Sequence, residues 1–403
     1  MSEPASEPSG DPSSPERPLH PETVALTAGR GANAGSLATP LWATTTFEPP
    51  DLDAALRLAT RPRETNFYSR HGNPTVRAFE DAVAALEGAD AAQAFGSGMG
   101  AITATVLAIC STGSHVVAAR QLYSATGTLF AGVCPRFGID VTFVDGTDAD
   151  AIAAAVEPGR TALVFVETPV NPRLDLVDLE AVGAIPGPLT MVDSTFAGPL
   201  VQRPLDLGLD LVVHSATKSL AGHNDATLGV VAGAEDLLQW IWGYATVHGA
   251  VASPFDALNG LRGIRTLGVR TRQQSETALA LAELLEEHPA VARVHYPGLD
   301  SHPQRDLAKR QMTTGGGILS LDLAGGWEAA RGFVARLRLA HFATSLGGPE
   351  TLVAHAASSF AAAMPPEERA ALGIGDGLVR VSVGLEHIDD LRADVLQALA
   401  NPA

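Results

Sequence analysis

The chain has 403 residues, of which 46% are hydrophobic and 18% are charged, and its formal net charge at pH 7 is −18. A chain of this length can bury roughly 75% of the surface that its unfolded form exposes, so a large apolar core is available. The acidic balance argues against a nucleic-acid-binding surface, which needs a basic stripe, but it leaves room for a local cationic pocket for a phosphate or carboxylate.

Residues 1–20 are rich in Ser, Pro and Glu and contain no apolar core, which predicts a disordered tail rather than a signal peptide. No apolar run reaches about twenty residues, so no membrane span is predicted. The two cysteines, Cys110 and Cys134, lie in apolar segments. A disulfide framework is therefore not expected, and a reducing cytoplasm fits best.

Residues 21–70 show little regular periodicity and carry several aromatic side chains, which predicts an arm. Apolar runs rich in β-branched residues then alternate with Ala- and Leu-rich segments or tight turns, at 114–119, 141–145, 161–168, 189–195 and 209–215. This alternation is typical of a mostly parallel sheet covered by helices. The run at 228–233 follows too closely for a crossover, so an antiparallel strand is expected there. Together these runs predict an α/β domain over 71–263.

The pattern changes after residue 264. Residues 271–289 are helical by composition, 318–323 and 378–384 are strand-like, and the last segment has apolar side chains on one helical face. Residues 264–403 are therefore predicted to form a smaller α+β domain.

Two of the apolar strands are followed by groups that suit one cofactor. Lys218 comes directly after the strand-like run at 209–217, and Asp193 lies at the end of the run at 189–195. A lysine is usually exposed, but a hydrophobic strand followed by Ser-Leu-Ala-Gly-His is a poor setting for a solvated charge. A lysine and a carboxylate on neighbouring strand ends can hold pyridoxal phosphate (PLP), the lysine as a Schiff base and the aspartate paired with the ring nitrogen.

A glycine-rich turn precedes a helix-like run at 96–110. N–H groups at a helix start favour an anion, so Gly98 and Met99 are candidates for backbone contacts to the cofactor phosphate. The motif alone is equally typical of an ordinary tight turn. Ser215 and Thr217 are candidates for additional hydroxyl donors, with polar residues ending a strand as the alternative.

These segments together resemble the Cys/Met-metabolism (transsulfuration) family of PLP-dependent enzymes. The resemblance covers about 40–400 and rests on YSRHGNPT (68–75), GSGMGAI (96–102), ETPVNP (167–172), VDSTF (192–196), HSATKSLAGH (214–223), TSLGGPETL (344–352) and VRVSVGLE (379–386). It implies the aspartate aminotransferase-like fold type I, in which a mostly parallel seven-stranded sheet is followed by a smaller α+β C-terminal domain.

The resemblance also assigns expected roles to residues around the cofactor. Tyr123 matches the tyrosine that stacks on the ring and assists proton transfer, and Asn171 matches a residue near the ring phenolate. Arg380 matches the clamp for the substrate α-carboxylate, for which a bidentate guanidinium is suited, and Ser345 is expected to support it. Outside this family, Tyr123 would be expected in the core and Arg380 as an ordinary strand residue.

Tyr68 and Arg70 match a pair that reaches across a dimer interface to the phosphate of the neighbouring subunit. Without the resemblance, an interface salt bridge would be the default for Arg70. The family implies a homotetramer built as a dimer of dimers, with each active site shared across a dimer.

Four positions depart from the patterns of family members and leave the substrate open. Thr344 replaces the Glu of many cystathionine-cleaving and cystathionine-forming members and the apolar residue of methionine-cleaving ones. Ala125 and Ala245 replace a reactive cysteine and a nearby lysine of the methionine-cleaving group, and Ser219 replaces a common tyrosine. Thr344 is also a candidate substrate contact.

The histidines do not suggest a metal. His295 and His302 flank a loop-like stretch without a cysteine or acidic ligand set, so solvated loop histidines are expected. His214 and His223 are expected to support neighbouring groups of the site.

The function expected from these features is a cytoplasmic carbon–sulfur lyase that acts on a sulfur-containing amino acid by α,γ-elimination. Lys218 would move the α- and β-protons, Asp193 would keep the ring protonated, and Tyr123 would help to protonate the leaving thiolate. The alternative is γ-replacement, in which a thiol joins an activated homoserine ester, in primary or in specialised metabolism. A non-catalytic PLP-binding scaffold is a third class, and the presence of Lys218, Asp193, Tyr123 and Arg380 argues against it.

Overall fold

The computed structural model describes residues 18–60, 63 and 66–400. The predicted tail at 1–20 lies almost entirely outside these residues. The described helices are α1 (Pro21–Thr27), α2 (Leu52–Thr60), α3 (Pro74–Glu87), α4 (Gly98–Ile109), α5 (Ser124–Thr128), α6 (Ala149–Ala154), α7 (Leu179–Gly183), α8 (Glu235–His248), α9 (Pro254–Ile264), α10 (Leu267–Glu286), α11 (Arg305–Gln311), α12 (Gly326–Arg336), α13 (Pro366–Ala371) and α14 (Ile388–Leu399).

A seven-stranded sheet forms the larger layer of the structure. Its strands are β1 (Ala91–Phe95), β2 (His115–Ala119), β3 (Asp140–Val144), β4 (Thr161–Glu167), β5 (Leu189–Asp193), β6 (Leu211–His214) and β7 (Gly229–Gly233). They lie in the order β1-β7-β6-β5-β4-β2-β3. The pairs from β3 to β6 are parallel, whereas β7 is antiparallel to both of its neighbours. The predicted antiparallel strand is thereby confirmed.

Both faces of this sheet are covered, as parallel sheets require. Successive side chains of a strand point to opposite faces, so Val164 and Val166 of β4 enter one apolar cluster while Leu163 and Phe165 enter the other. All four are fully buried. This two-sided burial explains why the strands appear in the sequence as continuous apolar runs.

A five-stranded sheet forms the second layer. Its strands are β8 (Val291–His295), β9 (Ile318–Leu323), β10 (His341–Phe342), β11 (Leu352–His355) and β12 (Leu378–Ser382), in the order β10-β11-β12-β9-β8. Apolar side chains of α10, α12 and α14 pack on it. The predicted combination of a mostly parallel seven-stranded sheet with a smaller α+β part is confirmed. A boundary between residues 263 and 264 separates the two sheets at the end of α9, and the division into domains stays a prediction.

The segment at 21–70 is more regular than its sequence suggests, since it contains α1 and α2. Ala25 of α1 is buried against the apolar cluster that includes α3, and its carbonyl accepts a hydrogen bond of 2.8 Å from Arg265. The start of the predicted arm is therefore docked on its own chain. Strand β1 was not predicted because Ala-Ala-Gln-Ala-Phe has few β-branched residues.

The sheet topology collects polar side chains at one edge. Strands β4, β5 and β6 are adjacent and parallel, so their carboxyl ends lie side by side, at Glu167, Asp193 and His214. In open α/β sheets this edge is where ligands bind. Separately, no helix of the described residues combines the length and the apolarity that crossing a membrane demands.

Candidate active site

A cavity of about 530 Å³ lies at the carboxyl edge of the parallel strands. Segments from both sheets contribute to its wall. The lining residues that matter below are Gly98, Met99, Tyr123, Glu167, Asn171, Asp193, Ser215, Thr217, Lys218, Thr344, Ser345 and Arg380. The structure thus brings eleven of the thirteen residues singled out from the sequence to one cavity, together with Glu167; Tyr68 and Arg70 lie elsewhere.

Lys218 reaches the cavity from the turn that follows β6. Its backbone N–H donates to the carbonyl of Ser215 at 3.0 Å, and Arg270 of α10 donates to the carbonyl of the next residue, Ser219, at 2.8 Å. The Nζ atom donates to Oγ of Ser345 at 2.9 Å. Burial, and secondly the positive charge of Arg380, lower the pKa of the Lys218 amine. The turn therefore presents an amine that is more easily deprotonated than an ordinary lysine.

Asp193 is the last residue of β5 and is buried. Its Oδ1 atom accepts hydrogen bonds from the backbone N–H of Thr195 at 3.0 Å and from the hydroxyl of Thr195 at 2.5 Å. Within the described residues, Oδ2 accepts no hydrogen bond and no cation pairs with the carboxylate. Burial raises the pKa of Asp193, while the Thr195 donors and the charge of His214 lower it. A protonated ring nitrogen would supply the missing positive partner.

Glu167, which the sequence analysis did not single out, lies beside Asp193 at the end of β4. The two residues are partners in the register of adjacent parallel strands, so their side chains share a face of the sheet. Burial, and secondly the charge of Asp193, raise the pKa of Glu167 to about 8. The motif at 167–172 contains this residue, but only the register places it next to Asp193.

The expected phosphate end lies at the start of α4. The hydroxyl of Ser97 caps the helix by accepting from the N–H of Gly100 at 3.0 Å, and the N–H groups of Gly98 and Met99, which both line the cavity, have no partner within the helix. A Cβ atom on Gly98 would lie 2.8 Å from Cβ of Ser215, so glycine lets the helix start and the strand end approach. The Ser215 hydroxyl makes no hydrogen bond within the described residues. The hydroxyl of Thr217 donates to the carbonyl of Leu228 at 3.1 Å.

Tyr123 lines the cavity from the segment between β2 and α5. Its side chain is 43% exposed, and its backbone N–H donates to Oε2 of Glu167 at 2.7 Å. A tyrosine in the core would be covered by other side chains, so Tyr123 is not a core residue. The ring is therefore free to contact a ligand.

Arg380 of β12 enters the cavity from the second sheet and is buried. Its Nη1 atom donates to Oδ1 of Asn171 at 3.0 Å, and its Nη2 atom donates to the carbonyl of Ser345 at 2.6 Å. No carboxylate of the described residues pairs with it. Burial lowers the pKa of the guanidinium to about 10, which still leaves it charged at neutral pH. A buried cation without an ionic partner suits a substrate carboxylate.

Ser345 connects this arginine with the lysine, and its φ angle of 85° lies in the left-handed region that favours glycine. A non-glycine residue held in this conformation is strained, and such strain is found mostly at functional sites. Thr344, next to it, lines the same cavity.

Tyr68 and Arg70 do not line the cavity of their own chain. Both are exposed, the guanidinium of Arg70 lies 5.3 Å from the Tyr68 ring centre, and Arg70 donates to the carbonyl of Thr246 at 3.0 Å. Their expected contribution to a neighbouring subunit stays a prediction.

The histidine expectations need one correction. His295 and His302 are buried rather than solvated. His295 ends β8 and bonds to Asp322 of β9 at 2.8 Å. Burial of His302 lowers its pKa to about 4. His214 is also buried and bonds to Glu87 at 2.6 Å, whereas His223 is exposed. Across residues 18–60, 63 and 66–400, no cluster of three His, Cys, Asp or Glu side chains is arranged to hold a metal ion.

The residues present fit pyridoxal phosphate. An amine of lowered pKa, a buried carboxylate without a cation and a helix start with free N–H groups surround one cavity. The chain has two lysines, and the other one, Lys309, lines a larger cavity of about 740 Å³ between α10 and α11. No carboxylate at that cavity has Asp193's combination of burial and a strand-end position, so the smaller cavity is the better cofactor site.

Comparisons with known proteins identify the family to which the chain is similar. The family described as Cys/Met metabolism PLP-dependent enzyme matches residues 22–400. The chain is 45% identical to the O-succinylhomoserine sulfhydrylase of Pseudomonas aeruginosa over 86% of this chain and 87% of that protein. It is 42% identical to the L-methionine gamma-lyase of Fusobacterium nucleatum subsp. polymorphum over 94% of this chain and 97% of that protein.

A comparison with solved structures finds a similar protein over nearly the whole chain. The cystathionine gamma synthase from Xanthomonas oryzae pv. oryzae, in complex with aminoacrylate and cysteine, superimposes with a TM-score of 0.89 at 38% identity. The match covers 95% of this chain and 98% of that one.

Proposed function

The chain belongs to the Cys/Met metabolism family of PLP-dependent enzymes, and on that premise we propose that it is a carbon–sulfur lyase that cleaves a sulfur-containing amino acid by α,γ-elimination. Its fold is fold type I, and its cofactor is pyridoxal phosphate. The products of the proposed reaction are a thiol, ammonia and a 2-oxo acid.

The cofactor, when bound, supplies an aldehyde that condenses with amines and a protonated ring that accepts electrons from the substrate α-carbon. The chain's own residues supply the rest. Lys218 offers an amine that gives up its proton more easily than an ordinary lysine, because burial and the charge of Arg380 lower its pKa. Asp193 would hold positive charge at the ring nitrogen, and the start of α4 with the Ser215 hydroxyl would receive the phosphate. Thr217 lines the same cavity, but its hydroxyl proton goes to the carbonyl of Leu228.

The substrate is held by residues that enter the cavity from the side of the five-stranded sheet. Arg380 binds the α-carboxylate, with Asn171 and Ser345 fixing two of its nitrogens. Tyr123 lies at the cavity wall where it can give a proton to a leaving thiolate. The observation that carries the proposal is that one cavity is lined by a lysine, by a buried carboxylate that pairs with no cation of the described residues and by a buried arginine that pairs with no carboxylate of the described residues.

The remaining wall favours an uncharged γ-substituent. Its other residues are neutral, namely Ser97, Ile102, Ser124, Thr195, Phe196, Thr227, Thr344, Leu346, Ser359 and Phe360. Helix α5, which follows Tyr123, reads Ser-Ala-Thr-Gly-Thr and also carries no charge. Within the described residues, nothing on this wall pairs with the distal amino and carboxylate groups of cystathionine. Methionine, with its S-methyl group, fits such a wall better.

A substrate panel tests this function. We expect the purified enzyme to release 2-oxo acid from methionine or homocysteine at a kcat/KM at least about tenfold higher than from cystathionine. If none of the three releases a 2-oxo acid, α,γ-elimination is refuted.

The second candidate is γ-replacement on an activated homoserine ester, and the 45% identity to a sulfhydrylase favours it. Product analysis with O-acetyl- and O-succinylhomoserine, each with and without sulfide or cysteine, separates the two. A thioether or homocysteine product would assign replacement, whereas a 2-oxo acid that forms regardless of the thiol would assign elimination.

The proposed assembly is a homotetramer made of two dimers in which Tyr68 and Arg70 complete the partner's phosphate site. Co-expression of Lys218→Ala and Arg70→Ala chains tests the shared site. In a hybrid dimer, the chain that keeps Lys218 would receive an intact Arg70 from its partner, so about half of the sites should be active. A hybrid no more active than the two parental variants would refute the exchange of Arg70.

A cytoplasmic location is also proposed. Cys110 and Cys134 are both free and buried, and burial raises their thiol pKa to about 12 and about 11, which suits unmodified thiols in a reducing compartment. Fractionation of the native cells tests this location. Enzyme found outside the cytoplasmic fraction would contradict it.

A further inference from the structure

Glu167 is a carboxyl group at the cavity wall that is only 4% exposed. No cation of the described residues lies within salt-bridge distance of it. A buried acid without an ionic partner is costly unless hydrogen bonds or a proton compensate for the lost hydration. The hydrogen bonds and charges around Glu167 therefore determine whether it keeps its proton.

Both oxygens of Glu167 accept backbone hydrogen bonds. Oε2 accepts from the N–H of Tyr123 at 2.7 Å, and Oε1 accepts from the N–H of Asn171 at 3.3 Å. Tyr123 lies 44 positions away in the chain and precedes the short helix α5, so this bond fixes where the partly exposed tyrosine stands. One side chain thus anchors two residues that line the cavity.

The second anchor extends to the substrate side. The side chain of Asn171 accepts a hydrogen bond of 3.0 Å from Arg380. A shift of Glu167 would therefore displace Tyr123 directly and Arg380 through one intermediate residue. In an active site, a displacement of about 1 Å can cost a factor of about 100 in rate.

Glu167 also has an acidic neighbour on the same face of the sheet. Asp193 is its register partner on β5. Two buried carboxyl groups at paired positions of adjacent strands, on the same face of the sheet, do not both ionise readily, so the pair tends to keep one proton. Two hydrogen bonds from Thr195 and the charge of His214 favour the charged form of Asp193. The N–H bonds from Tyr123 and Asn171 act in the same direction on Glu167, but burial and the charge of Asp193 outweigh them and raise its pKa.

The other ionisable groups around Glu167 are few. Tyr123 faces it from the segment after β2, and Lys218 and Arg380 line the same cavity from the turn after β6 and from β12. None of these is a second acid. The pKa of Glu167, raised to about 8 by burial and by Asp193, agrees with a proton that stays on Glu167.

We propose that Glu167 is a positioning residue that works in its protonated form: it anchors Tyr123 and Asn171, and by keeping the shared proton it leaves Asp193 as the charged partner of the cofactor ring. This inference goes beyond the proposed reaction, because it needs only that the cofactor binds at Asp193 and Lys218. It applies equally to elimination and to replacement.

Three variants test the proposal. Glu167→Gln resembles the protonated acid in shape and neutrality, Glu167→Leu removes both anchors, and Glu80→Gln is the matched control. Glu80 of α3 is likewise buried and accepts a backbone N–H, that of Ala94 at 2.8 Å, but it does not line the cavity. The readouts are the visible absorbance of the bound cofactor from about pH 6 to about pH 9.5, and kcat on the best substrate.

The proposal predicts that wild type and Glu80→Gln change absorbance with a midpoint near pH 8, the value to which the Glu167 pKa is raised, and that Glu167→Gln loses this transition. It also predicts that Glu167→Gln keeps kcat within about tenfold of wild type, whereas Glu167→Leu loses about 100-fold or more while still binding the cofactor.

Three results would overturn it: an unchanged transition in Glu167→Gln, equal losses of kcat in the Gln and Leu variants, or a Leu variant with wild-type kcat. If the Leu variant does not fold, the absorbance of the Gln variant decides alone. An enzyme inactive on every substrate tried would refute the proposed function, and the absorbance measurement would still decide the role of Glu167.

Discussion

The Nζ atom of Lys218 lies 2.9 Å from Oγ of Ser345, although the two residues are 127 positions apart. Lys218 follows the seven-stranded sheet, and Ser345 precedes β11 of the five-stranded sheet. Ser345 also accepts a hydrogen bond from Arg380 through its carbonyl. One residue with a strained backbone thus holds both the amine and the carboxylate clamp, which explains how two separate layers form a single site.

The lowered pKa of Lys218 predicts a stability gain when the lysine is removed from the cofactor-free protein. Its pKa in the folded state lies below 10.5, the usual pKa of a lysine, so between the folded-state pKa and 10.5 the unfolded chain binds more protons. Wild-type stability therefore rises with pH through that window. At pH 7 folding removes part of the hydration of this half-buried amine, so apo Lys218→Met should unfold roughly 1–3 °C higher than apo wild type.

Thermal unfolding of the apo-proteins at about pH 7 and about pH 9.5 checks this, and the advantage of the variant should shrink at the higher pH. Lys309→Met is the control, because Lys309 is exposed and no ion pair of the described residues involves it. A Lys218→Met protein that is less stable than wild type at neutral pH would contradict the buried-charge explanation.

Asp193→Asn should lower kcat at least about a hundredfold. At ~3 Å and an effective dielectric of ~20, the attraction between the carboxylate and a cationic ring is roughly 5 kcal/mol. That corresponds to about three to four powers of ten if it is fully realised in the transition state, and desolvation reduces it. Steady-state kinetics on the cofactor-saturated variant measures the effect.

Asp394→Asn is the matched comparison for that variant. Asp394 is a buried carboxylate that accepts three backbone hydrogen bonds, from residues 338–340, but it does not line the cavity. It should lower stability and leave kcat within about twofold of wild type. Equal losses of kcat in both variants would mean that any buried aspartate matters, not the pairing at the ring.

The sequence alone predicts the parallel sheet and the two central residues of the site. Lys218 and Asp193 stand at the ends of apolar strands, and a fully buried parallel sheet makes those strands visible as continuous runs. Glu167 could not be found in this way, because its significance depends on the register of β4 with β5 and on a bond to Tyr123.

Three other features were not predicted from the sequence, and each depends on contacts between distant segments. β1 is alanine-rich and is held by its pairing with β7, which no local pattern reveals. His295 and His302 were expected in solvent because the stretch between them contains Pro and Gly, yet tertiary packing buries both. The docking of α1 on its own chain likewise depends on contacts with distant segments.

Arg380→Lys should raise KM about 10- to 100-fold and change kcat less. Lysine keeps the charge, but it cannot bond to Asn171, Ser345 and a carboxylate with the fork geometry of a guanidinium. Initial rates over a range of substrate concentrations separate the two constants. Arg331→Lys, at an exposed position of α12, is the control, and a loss confined to kcat would argue against a role in binding the carboxylate.

Gly98→Ala should weaken retention of the cofactor at least about tenfold, because its Cβ would lie 2.8 Å from Cβ of Ser215 and push the helix start away from the strand end. Equilibrium dialysis with pyridoxal phosphate gives the affinity. Gly243→Ala is the control, since a Cβ at that position of α8 meets nothing within 4 Å and alanine favours a helix. Equal affinities in the two variants would place the phosphate elsewhere.

The most direct test of the site is to trap the cofactor on the chain. Borohydride reduction of the yellow holoenzyme followed by peptide mass mapping has two lysines to choose from, Lys218 at the buried cavity and Lys309 on α11. We expect one pyridoxyl group per chain, on the peptide that contains Lys218, and none in Lys218→Ala. Label on Lys309, or a chain that takes up no cofactor, would contradict the assignment of the active site.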